Sequence, residues 1–176
     1  SSGLDTTVHS FKFSNYNLKN IIGNHFGAKN INHLYINDAH YDSVPEGPGA
    51  YDNMSGAAII MELCRYFHAH RPRRTMEFIW FGAEEKGLLG SQNYIKIHEN
   101  ELSAHRFNMN VDLAGQLVGG TVAGVTGDAS VCNMITYMAH EIGIGMSTKN
   151  QIWGSDSNTF AWKGIPAMTL NRDGFG

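Results

Sequence analysis

Apolar and polar residues follow two different rhythms along this chain, and each rhythm predicts one kind of element. A period of two, typical of a half-buried strand, runs through VHSFKFS at positions 8–14. Short apolar runs bounded by turn residues are typical of more deeply buried strands. Such runs predict further strands at 18–26, 31–40, 75–81, 106–115, 116–127 (interrupted by turns) and 165–171.

A period of three to four residues appears between these strands and predicts helices. Ala57, Ile60, Cys64 and Phe67 have this spacing, so we expect a helix from about Asn53 to His70. Further helices are predicted from about Leu88 to His98, over 129–143 and, as a short element, within 155–164. Strands that alternate with helices in this way are typical of α/β layer folds.

Composition and charge narrow the classes of function. A chain of 176 residues suits one domain, and we see no domain boundary within 1–176. The formal charge of -3 argues against a nucleic-acid partner, and no run of 18 apolar residues predicts a membrane span. Cys64 and Cys132 lack a CxxC pattern, which excludes a zinc finger but leaves their pairing open. The absence of a GxSxG motif argues against a serine nucleophile.

Acidic and imidazole side chains recur where a predicted strand ends or a helix begins. Four segments share this feature: NDAHYDS (37–43), GAYDNMSG (49–56), GAEEKG (82–87) and NVDLAG (110–115). Loops beyond the carboxyl ends of strands gather in one crevice of an open α/β sheet, so these segments are expected to converge. Converging carboxylates repel one another unless a cation compensates them. Imidazole with carboxylate oxygen suits zinc, and also cobalt or manganese.

Each of these residues also has an ordinary structural explanation when it is taken alone. Asp52 could cap the helix that follows, and His40 could be a hydrogen-bonded histidine at a strand end. Only the four segments together favour a metal site. Four histidines outside them are expected to face solvent, His68, His70, His98 and His105.

The four segments resemble the zinc aminopeptidases of the M28 type. That family has a His-x-Asp after one strand, an Asp-Asn-x-x-Gly turn that opens a helix, a Glu-Glu pair, and an Asp after a later strand. The matching residues here are His40-Tyr41-Asp42, Asp52-Asn53-Met54-Ser55-Gly56, Glu84-Glu85 and Asp112, and the resemblance runs from about residue 17 onward. It implies a three-layer α/β/α sandwich with a mixed, mostly parallel central sheet, and a peptide substrate that loses its N-terminal residue.

The resemblance also implies a zinc centre with two ions. Asp52 would bridge the ions, His40 and Asp112 would complete one of them, and Glu85 would hold the other. In the family a further histidine ligand follows the final strand. No histidine follows His140 here, so we expect the natural chain to continue past the last residue, 176, to that ligand. Without that ligand, residues 1–176 could hold one zinc ion or none.

Catalytic roles follow from the same resemblance. Glu84 would be the general base and acid, taking a proton from water and passing it to the leaving amine. Asp42 would accept the second N–H of His40. Ser155 and Asp156 correspond to a Ser-Asp loop that lines the pocket in the family, although Ser157 stands where the family often has histidine.

Two other functions stay open at this point. Glutaminyl cyclases share the fold and use one zinc ion, but they usually keep a single acid where this chain has Glu84-Glu85. They also usually lack the Asp-Asn found at 52–53. A non-catalytic binding domain of the same fold, as in some receptor ectodomains, is the third possibility, and the intact acids argue against it. The resemblance favours a secreted or cell-surface location; oligomeric state, native metal and side-chain preference stay undetermined.

Overall fold

The computed structural model describes residues 5–29, 32–151 and 153–173, which form an eight-stranded sheet with helices on both faces. The strands are β1 (Asp5–Phe13), β2 (Tyr16–His25), β3 (Leu34–His40), β4 (Thr75–Phe81), β5 (His105–Val111), β6 (Gly120–Thr126), β7 (Met146–Asn150) and β8 (Ala167–Asp173). The helices are α1 (Met54–Ala69), α2 (Leu89–Ile97), α3 (Ala129–Glu141) and α4 (Ser157–Ala161), with a 3-10 helix at Glu99–Ala104.

The sheet has the strand order β1-β2-β4-β3-β5-β8-β6-β7. Four of its seven pairings are parallel, β4 with β3, β3 with β5, β5 with β8 and β6 with β7. The prediction of a mixed, mostly parallel sheet is therefore confirmed. Because β3, β4, β5 and β8 all run in one direction, the loops that follow them open at one edge of the sheet.

Apolar side chains from alternate positions of the strands build a core on each face. On one face Ile60 and Cys64 of α1 pack against Phe78 and Val111. On the other face the side chain of Tyr94, from α2, packs with strand residues such as Phe81 and with Phe160 of α4. Adjacent strand residues point to opposite faces, so these two cores make the predicted three-layer α/β/α arrangement.

All predicted strands and helices are present, with ends shifted by a few residues. The strand predicted over 106–115 ends at Val111, because the chain turns through Leu113, which has a positive φ of 57°. Ile31, the predicted start of the third strand, lies outside the described residues. Two elements were not predicted, the 3-10 helix and β7. The residues of β7, MSTKN, are mostly exposed at the sheet edge, so no apolar pattern marks them.

His105 differs from its predicted environment. It was expected to face solvent, but it opens β5 in a buried position, with Nε2 of its ring 3.0 Å from the hydroxyl of Tyr94. Tyr94 in turn donates a hydrogen bond to the buried carboxylate of Glu77. The burial of His105 thus depends on residues of α2 and β4, and spacing along the chain does not reveal such contacts.

Two expectations about chain class can be compared with the structure directly. Within the part of the chain that is described, none of the helices combines the length and apolar content needed to span a bilayer. Cys64 and Cys132, which both lie in that part, are free thiols.

Candidate functional site

His40 lies at the centre of the candidate site, at the end of β3, and its side chain is only 1% exposed. Nε2 is 3.2 Å from Oδ1 of Asp52, 3.4 Å from Oδ1 of Asp112 and 4.0 Å from Oε2 of Glu84. Nδ1 lies 3.1 Å from the backbone carbonyl oxygen of Asp42. A carbonyl only accepts, so Nδ1 is the donor in this bond, and Nε2 of a neutral ring points its lone pair at the carboxylates.

Two groups of side chains share this imidazole and offer atoms suited to a metal ion. One group is His40, Asp52 and Asp112, and the other is His40, Glu84 and Glu85; within each, the ligand atoms lie within 4.8 Å of one another. Oδ1 of Asp112 and Oε1 of Glu85 are buried and have no hydrogen-bond partner among the described residues. Imidazole nitrogen and carboxylate oxygen are the ligands of many catalytic zinc sites, so the donor set fits zinc.

The electrostatics of the site call for positive charge. Burial alone would lower the pKa of His40, but the nearby carboxylates of Asp112, Asp42 and Glu84 outweigh it and raise the pKa to about 11. The pKa of Asp52 is raised by burial and then by the charge of Asp112. A divalent cation would supply that positive charge and let the imidazole act as a neutral ligand.

Asn53 brings Asp52 to this site by tying the start of α1 to the end of β5. Its Oδ1 accepts hydrogen bonds from the N–H of Gly56 (3.1 Å) and of Leu113 (3.3 Å), and its Nδ2 donates to the carbonyl of Val111 (2.8 Å). The helix is therefore capped by Asn53 and not by Asp52, the residue that could have capped it on sequence grounds. The carboxylate of Asp52 is left free to face His40.

Gly56 completes the same join. A Cβ at this position would come within 2.3 Å of the carbonyl oxygen of Val111 and 2.5 Å of Oδ1 of Asn53. Glycine inside a helix normally costs stability, about 1 kcal/mol relative to alanine. It is required here because the first turn of α1 approaches the backbone of β5 so closely. This explains physically why Asp-Asn is followed by a glycine three residues after the asparagine.

Asp42 holds the Glu84-Glu85 turn in place. Its Oδ1 accepts the N–H of Glu84 at 3.0 Å, and its Oδ2 accepts the N–H of Glu85 at 3.2 Å. The carboxylate was predicted to accept a hydrogen bond from Nδ1 of His40, but Oδ1 is 3.6 Å from that nitrogen. The shorter contact to His40 comes from the backbone carbonyl of Asp42. One residue thus positions both the imidazole and the paired glutamates.

Glu84 is the more enclosed of the catalytic candidates, with 11% of its side chain exposed. Its pKa is raised to about 8, by burial first and then by the charge of the neighbouring Asp156. Asp156 is itself buried, and burial is the main reason that its pKa is raised to about 7. A carboxylate whose pKa lies near neutral pH can both accept and release a proton during a reaction.

Ser155 fixes the orientation of Asp112. Its hydroxyl donates to Oδ2 of Asp112 at 2.7 Å and accepts from Nδ2 of Asn110 at 2.5 Å. Oδ2 is thereby occupied, and Oδ1 is the oxygen that faces His40. Ser155 was predicted to line the pocket; in the structure it holds a candidate ligand.

Replacing Ser155 with alanine is expected to weaken zinc binding by about 10–100-fold, the usual size of effect when a group that orients a metal ligand is lost. The fold should be retained, because only a hydroxyl is removed. Zinc affinity measured by competition with a chelator checks the prediction. Ser157→Ala is the matched control, since Ser157, the first residue of α4, is also buried but contacts Thr169. Equal losses in both variants would contradict the assignment.

The structure brings together all six residues predicted for the site, His40, Asp42, Asp52, Glu84, Glu85 and Asp112. Two supporting residues were missed. Asn53 was interpreted only as the start of a helix, and Asn110 only as part of a strand. A buried asparagine inside a strand needs a partner for its amide. The placement of an asparagine amide within the predicted strand, in the segment NMNV, was therefore the one available signal for Asn110.

Comparison with known proteins shows that this chain is similar to peptidases. Residues 20–176 match the sequence model of a family described as Peptidase family M28. Aminopeptidase YwaD of Bacillus subtilis (strain 168) is 42% identical over 115 residues, which are 63% of this chain and 25% of YwaD. A solved zinc aminopeptidase from Bacillus subtilis superimposes on 91% of this chain with a TM-score of 0.81 and 32% identity, over 41% of that protein. The chain thus spans less than half the length of either protein.

A glutaminyl cyclase structure from an Acidobacteriales bacterium has a similar fold. It covers 98% of this chain and 65% of its own, with a TM-score of 0.82 and 16% identity. At that identity the likeness concerns the fold alone. It agrees with the expectation that peptidases and cyclases share this architecture.

Proposed function

The chain belongs to peptidase family M28, and on that premise we propose that it forms the zinc-binding catalytic part of an aminopeptidase. The reaction is hydrolysis of the first peptide bond of a peptide. The observation that carries the proposal is the convergence of two metal-ligand groups on His40, with Glu84 and Glu85 held beside it by Asp42.

We assign the ligands as follows. His40 and Asp112 would hold one zinc ion and Glu85 a second, and Asp52 would contribute to both. Electrostatics supports pairing Glu85 with Asp52 at the second ion. Burial is the main reason that the pKa of Glu85 is raised, and Asp52 is the charged group that raises it most. Bound zinc would polarise the peptide carbonyl and make water more acidic.

Glu84 has the role of moving the proton. Its carboxylate accepts a proton from the attacking water and delivers it to the nitrogen of the departing peptide, so that the amine leaves neutral. Asp42 contributes by fixing the backbone of Glu84, which keeps the carboxylate at a constant place relative to His40. The excess of carboxylates also attracts the protonated α-amino group of a peptide, which favours cleavage at the amino end.

A cyclase reaction is the second candidate, because a cyclase shares the fold. It makes a ring from an N-terminal glutamine and has no use for a water-activating base beside a second ligand. The intact Glu84-Glu85 pair, with both carboxylates within reach of His40, favours hydrolysis.

The test combines zinc content with substrate turnover. We expect zinc-loaded protein to hydrolyse members of a panel of aminoacyl chromogenic substrates and to release free amino acid from a short peptide. A glutaminyl peptide serves as the comparison, since a cyclase converts it to a pyroglutamyl product without releasing an amino acid. Cyclisation without hydrolysis would replace the peptidase assignment by the cyclase one.

A further inference from the structure

The β1–β2 hairpin rises above the edge of the sheet at which the candidate site opens. Pairing between β2 and β4 begins at Ile21, opposite Trp80, whereas β2 itself begins at Tyr16. Five residues, 16–20, therefore extend past the last paired residue of β4, a length of roughly 16 Å at about 3.3 Å per residue. The tip of the hairpin thus stands beside the turn that carries Glu84.

This overhang is a fixed wall. The hydroxyl of Tyr41 donates to the carbonyl of Lys19 at 2.9 Å, and Oδ1 of Asn20 accepts the N–H of Gly82 at 3.3 Å. A Cβ at Gly82 would come within 2.5 Å of the carbonyl oxygen of Lys19, so the hairpin and the turn touch backbone to backbone. The hairpin is therefore anchored both to the loop after β3 and to the turn after β4.

Between the hairpin and the turn lies a cavity of about 420 Å³, which we name the hairpin groove. Its walls are mostly apolar. They include Phe13, Tyr16, Leu18, Tyr41 and Leu89. Phe13 and Tyr16 are 52% and 65% exposed, so the groove presents aromatic surface to whatever enters it.

The groove adjoins the candidate site through Asp42. Asp42, which clamps the Glu84 backbone, lines the groove, and so do Ala83 and Lys86, on either side of the glutamate pair. Lys19 and Lys86 are the two cationic residues of the lining. An occupant that is apolar near the hairpin and carries a negative group within reach of these lysines would complement both features.

We propose that the hairpin groove binds the residue on the carboxyl side of the scissile bond, with a preference for bulky apolar or aromatic side chains. The proposal rests on the function proposed above. Glu84 delivers its proton to the leaving nitrogen, so the departing residue starts next to Glu84, and the groove is lined by Ala83 and Lys86, on either side of the glutamate pair. In a dipeptide the C-terminal carboxylate then lies near Lys19 and Lys86.

The first test compares dipeptides that differ only after the scissile bond. Wild-type protein should cleave Leu-Phe with a higher kcat/KM than Leu-Gly, and Phe13→Ala/Tyr16→Ala should reduce that preference about tenfold, in line with lost burial of an aromatic side chain. The control is Phe26→Ala/Tyr137→Ala, which removes one phenylalanine and one tyrosine, 58% and 63% exposed, outside the groove. The control should keep the wild-type preference.

A binding measurement separates this proposal from the proposed function. N-acetylphenylalanine resembles the departing residue and has no free amine to bind among the carboxylates. Calorimetry should show that Phe13→Ala/Tyr16→Ala weakens its binding about tenfold relative to wild type. Lys86→Gln should weaken the binding of N-acetylphenylalanine but not the binding of its uncharged amide. These results are expected whether or not the protein turns over peptides.

The outcomes that overturn the proposal are specific. One is an unchanged Leu-Phe preference and unchanged N-acetylphenylalanine binding in the groove variant. Another is a change in the preference for the first residue, Leu-Gly against Ala-Gly, which would assign the groove to the amino side of the bond. Failure of wild-type protein to cleave leucinamide and both dipeptides, with N-acetylphenylalanine binding as expected, would refute the peptidase function alone.

Discussion

Replacing Glu84 with glutamine should leave the fold and the bound zinc intact and lower turnover by about 10²–10⁴-fold, the range expected when a general base is lost. The amide keeps the shape of the side chain and loses the ability to accept a proton. The backbone of residue 84 would still be held by Asp42, since that bond uses the N–H. Turnover of a leucyl substrate and zinc per chain by elemental analysis are the two measurements.

The zinc measurement matters because the structure groups both glutamates with His40. If Glu84 were a ligand, Glu84→Gln would lose zinc together with activity. For Glu85→Gln we expect a different result: this variant should lose zinc, and the zinc ion at the second position should be lost first. Glu62→Gln is the control, because Glu62 lies on the exposed surface of α1 and pairs with Arg65. Turnover of Glu84→Gln near the wild-type value would exclude the proton-transfer role.

The fold and the convergence of the site residues could be predicted from the sequence because both follow from local patterns. Strands read as apolar runs, helices as a period of three to four, and in a mostly parallel sheet the ends of successive strands meet at one edge. The positions of His40 and Asp112 need nothing more than this, since each lies at the carboxyl end of a parallel strand or directly after it.

The supporting contacts were less accessible, because they depend on how elements approach one another. Asp52 and Asn53 are both good capping residues, and no local rule decides between them. The choice of Asn53 follows from its second bond, to Val111, 58 residues away. The clamp from Asp42 to the glutamate turn spans 42 and 43 residues. The overhang of the hairpin depends on the register of β2 against β4, which an apolar pattern with period two does not fix at its ends.

Replacing His40 with alanine should abolish activity and remove the zinc ion that His40 and Asp112 would hold, because the imidazole is one of the three ligands of the His40, Asp52 and Asp112 group. Loss of His40 leaves that ion with Asp52 and Asp112 alone, fewer than the three protein ligands usual for catalytic zinc. A ligand that binds only the folded protein stabilises it in proportion to its affinity, by about 4 kcal/mol at a free concentration a thousand times the dissociation constant. Zinc should therefore raise the melting temperature of His40→Ala by less than that of the wild type.

The comparison is made within each variant, between protein treated with a chelator and the same protein with zinc restored. His40 is buried, so its removal also leaves a cavity and takes away the positive partner of several carboxylates, both of which destabilise the fold without zinc. Those losses affect the two curves of one variant equally and cancel in the zinc-dependent shift. His140→Ala, which removes an exposed histidine of α3, should keep the wild-type shift. A full zinc-dependent shift in His40→Ala would mean that zinc binds elsewhere, and the proposed centre would have to be abandoned.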